Sequence, residues 1–204
     1  KFPCREESLG LALTDWMLLE PSSKTQKIIF DAAQVLDPDE WRCGFRVALR
    51  GGYGADLVKL SQKAAVGPKH SKQTVIVADA LQVFERPQDA IAFLRRARAA
   101  APGDFWANEL FGLFLTQYPP DRLAPERSDE ALNCFEAAYI VQPDSGFAVA
   151  GLAEAQMAAL RYEPCELICR RYLETHDARN TRVRSILVDV LTRAGRFADA
   201  EKYA

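Results

Sequence analysis

The sequence predicts an all-α fold, a right-handed α-solenoid of stacked helix–turn–helix pairs. Three observations carry this. Apolar residues recur at helical spacing along the whole chain, and no run of period-two alternation is long enough for a strand. A small–aromatic–small face recurs as well: Ala131, Phe135 and Ala138, followed by Pro143, stand at offsets of four, seven and twelve. Small residues flanking one large plug let two helices approach closely, and the proline then stops the helix. Finally, that face returns at a near-constant step, 34 residues from Ala131 to Cys165 and 35 from Cys165 to Ala200. The step from Ala90 to Ala131 is 41, one period plus an insertion in the 117–129 loop.

Taken in order, residues 6–20 read as a helix with Leu9, Leu13, Trp16 and Met17 on one face. Pro21-Ser22-Ser23 turns the chain, with Ser23 as N-cap. Its partner helix, 24–36, carries the anchors Gln26, Phe30 and Ala33 and ends at Asp37-Pro38. A third helix at 41–50 is broken by Gly51-Gly52-Tyr53-Gly54, and a degenerate anchor set, Leu57, Ser61 and Ala64, lies in the fourth, 55–66. Residues 71–84 and 89–100 form the next pair, with Ala90, Leu94, Ala97 and Pro102 as anchors. The central pair spans 105–143, and 147–160, 164–174, 181–193 and 197–204 complete the series. First helices share their own mark. Thirteen residues before an anchor stand Leu13, Val77, Leu152 and Leu187, each followed by Thr14, Ala78, Ala153 or Val188; the insertion shifts this pair to Phe111 and Gly112. One array over 1–204 is expected, in approximate units 7–38, 39–70, 71–104, 105–145 with the insertion, 146–180 and a truncated 181–204.

This pattern resembles the tetratricopeptide repeat, a 34-residue helix–turn–helix unit with W-x2-L-G-x2-Y … A-x3-F … P. Ala131-x3-Phe135 and Pro143 fit it, as does Gly112; the Trp and Tyr of the first helix are lost, and Trp41 takes the Trp position of the second unit. The segments DPDEWRCGFRVAL, AIAFLRRARAAAPGDFWANELFG and EALNCFEAAYIVQPDS also resemble the helical-repeat region that follows the catalytic domain of some large bacterial serine/threonine protein kinases. The chain begins without Met and stops inside a repeat, so it is expected to be a piece of such a longer protein. None of the kinase motifs is present, and no catalytic residue is carried over: this segment is expected not to be an enzyme.

Composition narrows the partners. A 49% hydrophobic, 26% charged chain of 204 residues is ordinary for a soluble protein, and Ala-rich runs such as 95–101 favour helix. A formal net charge of −2 gives no reason to expect nucleic acid or an anionic membrane. No apolar run approaches the ~20 residues of a transmembrane helix. Five cysteines, an odd number without framework spacing, point to a reducing compartment, and a cytoplasmic location is expected.

Chemistry-bearing constellations are few. Gly51–Gly54 lacks the preceding strand and the GK[ST] of a phosphate-binding loop, and reads as an inter-helix turn. Cys165, Cys169 and His176 could supply three metal ligands, but both cysteines occupy anchor positions, where cysteine acts as a small apolar core residue. Neither a metal nor any other cofactor is expected. Asp37, Asp39 and Glu40 cluster at a helix start, where they complement the macrodipole. The prolines of 118–125 read as a loop, with a polyproline II ligand as a lesser use.

The remaining candidate is a groove. Stacked pairs curve, and first helices line the concave face, where ligands of the resembled family usually lie. Its inward positions are expected to be Lys72, Val75, Asp79 and Gln82; then Trp106, Glu109, Leu113 and Thr116; then Phe147, Ala150, Glu154 and Met157; and finally Arg182, Ser185 and Asp189. Trp106 and Phe147 are expected to form an apolar floor with Asp79, Glu109 and Glu154 as an acidic rim. Family members that clamp a peptide's terminal carboxylate use Lys, Asn and Arg there, so these acids argue for a basic or mixed ligand. The expected function is a protein-interaction scaffold with a protein or peptide partner; a spacer or self-association module is the alternative.

Overall fold

The computed structural model describes residues 3–20, 22–118 and 125–204, with side chains from 7 in the first stretch and from 129 in the last. Twelve α-helices are present among them, and no strand. They are α1 (Pro3–Leu19), α2 (Ser23–Leu36), α3 (Glu40–Gly51), α4 (Gly54–Lys63), α5 (Ser71–Val83), α6 (Pro87–Ala100), α7 (Phe105–Gln117), α8 (Pro125–Val141), α9 (Gly146–Ala158), α10 (Tyr162–Thr175), α11 (Thr181–Arg193) and α12 (Phe197–Ala200), with a 3-10 turn at Pro68–His70. No described helix is long and apolar enough to cross a membrane. Consecutive helices pack as pairs, so the described chain is all-α, built of stacked helix–turn–helix pairs. It divides into two compact units, Lys1–Ala101 and Pro102–Ala204. The division falls close to an expected repeat boundary.

Local chemistry starts the helices where the sequence provides an acceptor. Asp39, Asp104 and Asn180 accept the N–H of Arg42, Ala107 and Val183 at 2.9, 2.8 and 3.0 Å. The cap of α2 is Ser22 rather than Ser23, its hydroxyl accepting from Thr25. Each such cap satisfies a backbone donor that has no intrahelical partner.

In the C-terminal unit the stack is regular. The pairs are α7/α8, α9/α10 and α11/α12; α8 packs on α9, α10 on α11, and the first helices α7, α9 and α11 follow one another. Phe135 is buried as the plug of α8. A Cβ added to Gly112 of α7 would stand 2.9 Å from its ring, and one added to Gly151 of α9 only 2.5 Å. Both helices therefore reach the ring only because they carry glycine there. Ala131 and Ala138 are buried on either side of it, as their spacing predicts. Cys165 and Cys169 lie in a core with Val149, Leu173, Leu187 and Leu191.

The N-terminal unit is less regular. Its pairs are α1/α2, α3/α4 and α5/α6, but α1 also lies against α5, and touches it more than it touches α3. The packed face of α1 is Gly10, Leu11, Thr14 and Met17; of the expected stripe Met17 is buried and Leu13 half-buried, while Leu9 and Trp16 are exposed. Asp37 does not serve a helix start. It is buried at the end of α2, where its carboxylate takes Arg42 Nε at 2.7 Å, Arg42 Nη2 at 2.8 Å and Arg46 Nη1 at 3.0 Å. Arg46 is wholly buried and also donates to Gln34 and to the Asp37 carbonyl. A Cβ on Gly10 would stand 2.4 Å from that of Asp37, so α1 meets this network through a glycine. Burial alone would raise the Asp37 carboxyl; hydrogen bonds from Arg42 and then Arg46 hold it below its usual range.

The turn inside a pair has one geometry in four places. Gly52, Glu85, Leu160 and Gly195 follow α3, α5, α9 and α11 with φ of 72°, 56°, 58° and 74°. Each stands five residues before an anchor: Leu57, Ala90, Cys165 or Ala200. The next residue, Tyr53, Arg86, Arg161 or Arg196, returns its N–H to the carbonyl five back, at 2.8–2.9 Å. This is a Schellman closure, which satisfies the orphan carbonyls of the helix end.

Candidate functional site

The C-terminal unit holds the fuller candidate. Trp106 lies one residue inside the capped start of α7, and Phe147 holds the same place on α9. Their rings approach to 6.4 Å between centroids at 56°, yet Trp106 is 37% exposed and Phe147 60%. Phe105, behind them, is buried and meets Trp106 edge-on at 5.0 Å. Two large aromatic groups therefore share a surface while one of their neighbours supplies the packing.

The expected acidic rim is not built as a rim. Glu109 is only 6% exposed, and its Oε2 has no hydrogen-bond partner. Its Oε1 lies over Gly151, 3.1 Å from where a Cβ would be. Burial, opposed by Arg182 and helped by the like charge of Glu154, pushes this carboxyl up to about 7. Glu154 is on the surface but is already paired. Arg182 of α11 donates to both of its oxygens, at 3.1 and 2.9 Å. Asp189 pairs with Arg193 on its own helix at 2.9 Å.

The other expected positions divide. Leu113, Met157 and Asp189 are half-buried, Thr116, Arg182 and Ser185 are exposed, and Ala150 is fully buried within the stack. An open cavity of about 400 Å3 adjoins Phe147, lined also by Gly146, Arg179, Asn180, Thr181 and Arg182. In the N-terminal unit, on α5, Lys72 and Gln82 are exposed and Val75 half-buried. Asp79 is half-buried toward α1, where burial and the charge of Asp15 raise its carboxyl. His176 stacks on Tyr172 at 5.5 Å and meets Asp144 at 2.7 Å, while Cys165 and Cys169 face the core. The loop prolines Pro119 and Pro120 lie outside the described residues.

No protein-family model matches the chain, and comparison with curated proteins finds no match. Among solved structures, the chain is similar to that of PilF from Pseudomonas aeruginosa, with a TM-score of 0.64 at 14% identity over 100% of this chain and 90% of that one. That likeness shows a shared helical-repeat fold.

Proposed function

We propose that this chain is a non-catalytic protein-interaction scaffold that holds an extended peptide segment across α7, α9 and α11. The observation that carries this is the Trp106–Phe147 pair, two large aromatic rings in contact and left open to water. Soluble surfaces seldom leave such groups together without use. Aromatic anchors of this kind dominate binding where they occur. The resemblance to repeats that follow bacterial kinase domains supports a role within a signalling protein, recruiting substrates or partners.

The test is selection from a phage-displayed library of random dodecapeptides. Wild-type protein should enrich a family of sequences, and Trp106→Ala, folded by circular dichroism, should lose them. Equal enrichment by both would remove this surface from consideration. A second reading, self-association, has its own observation: Leu9, Trp16 and Leu19 form an exposed stripe along α1. Light scattering over a concentration series decides it, since a monomer at all concentrations eliminates that reading.

A further inference from the structure

The aromatic pair and the buried carboxyl occupy successive levels of one crease. Trp106 and Glu109 are three residues apart on α7, and Phe147 and Gly151 four apart on α9. Both spacings bring residues onto one helical face. The ring pair bridges α7 and α9 at the first level; one turn on, Glu109 Oε1 rests on Gly151 and bridges them again. One helical turn is about 5 Å. That is roughly the reach of a lysine or arginine stem, which lies well along apolar surface while its charge goes beyond.

Charge on this face is unevenly satisfied. Glu154 has Arg182, and Asp189 has Arg193. Glu109 is more than nine-tenths buried, and its Oε2 lacks any partner. A buried polar oxygen left unsatisfied costs stability, and such groups are seldom retained without a use. We propose that Glu109 is the specificity-determining acceptor of the groove, taking the cationic head of one lysine or arginine of the bound peptide while Trp106 and Phe147 grip its stem. This rests on the groove reading and names the chemistry of its ligand. The ring faces favour a cation passing over them. Oε2 is covered in the free protein, so entry requires a side-chain shift. Arrival of the cation would ionise the raised carboxyl, so binding near neutral pH would release a proton.

The same library provides the test. Wild type should enrich peptides with Lys or Arg fixed at one position, and Glu109→Gln should enrich peptides without that preference. For a selected lysine peptide, replacing that lysine by norleucine should weaken wild-type binding on the order of tenfold or more, as for a charge-assisted hydrogen bond. The same replacement should leave Glu109→Gln binding unchanged. Calorimetry at pH 7 in two buffers of different ionisation heat should show proton release with wild type alone. Peptides that need Trp106 but carry no fixed cation would overturn this inference and leave the groove standing. So would a lysine preference that survives Glu109→Gln. If wild type enriches nothing, or Trp106→Ala enriches the same peptides, the groove fails and this inference with it. The norleucine arm uses wild-type protein, so it decides even if a variant misfolds.

Discussion

Each unit buries a carboxyl between its helices, and the two are handled in opposite ways. Asp37 of the N-terminal unit is enclosed by two guanidinium groups and has no oxygen to spare. Glu109 of the C-terminal unit lies over a glycine with one oxygen unanswered. The first ties α2 to α3 and holds its charge; the second is poised near neutrality. The surrounding packing differs in the same sense. Where the small–aromatic–small face is intact, α7, α8 and α9 close around the Phe135 ring. In the N-terminal unit the joint between α2 and α3 is ionic, and α1 reaches α5.

The largest effect is expected at Asp37. Asp37→Ala leaves Arg46 as an uncompensated buried charge, and a loss of about 3–5 kcal/mol is expected in urea unfolding. A loss below about 1 kcal/mol would show that the arginines find water or another acceptor. The sign of its pH dependence is also fixed. A depressed carboxyl supports the fold above its unfolded value, and that support is lost as pH falls through the lower folded value.

Glu109 runs the other way. Between its ordinary value and about 7, the folded state binds more protons than the unfolded one, so stability falls as pH rises through that window. Melting measured from pH 5 to 8 should show a loss of roughly 1–3 kcal/mol from this group. Glu109→Gln should abolish that slope and be the more stable protein at pH 8. A slope unchanged by the substitution would mean that Glu109 is ionised throughout.

A smaller change is expected at Gly151. Alanine there would gain roughly 1 kcal/mol of helix propensity but would drive its Cβ into Phe135. Overpacking of this kind costs roughly 1–3 kcal/mol, so the variant should lose about 1 kcal/mol net by thermal unfolding. A gain would show that the ring can slide within its seat.

The helices and the plug were legible because both are written locally. Anchor spacing placed Ala131, Phe135 and Ala138 on one face, and the helix ends agree with the caps and prolines within a few residues. What was not legible depends on partners far along the chain. Asp37 reads as one more acid near a helix start; its clue is Arg46, a cation set among Phe45, Ala48 and Leu49 on a buried face. Glu109 reads as a rim residue because it shares a stripe with Trp106. A first helix enclosed on several sides buries positions that a two-sided helix would expose, and α7 buries nine of its thirteen residues. On α1 part of the apolar stripe misled: Leu9 and Trp16 stay outside, and the helix turns Gly10 and Thr14 inward beside Met17.

The turn that closes four of the described pairs shows what persists in this chain. A left-handed residue suits glycine and costs other residues about 1–2 kcal/mol, yet Glu85 and Leu160 adopt the same backbone as Gly52 and Gly195. The hydrogen bond from the following residue holds all four to one hand. The side chains differ while the bend does not, so a search for glycine at this place finds two of the four described turns of this kind. Kinship among these repeats is better kept by the path of the backbone than by the letters that decorate it.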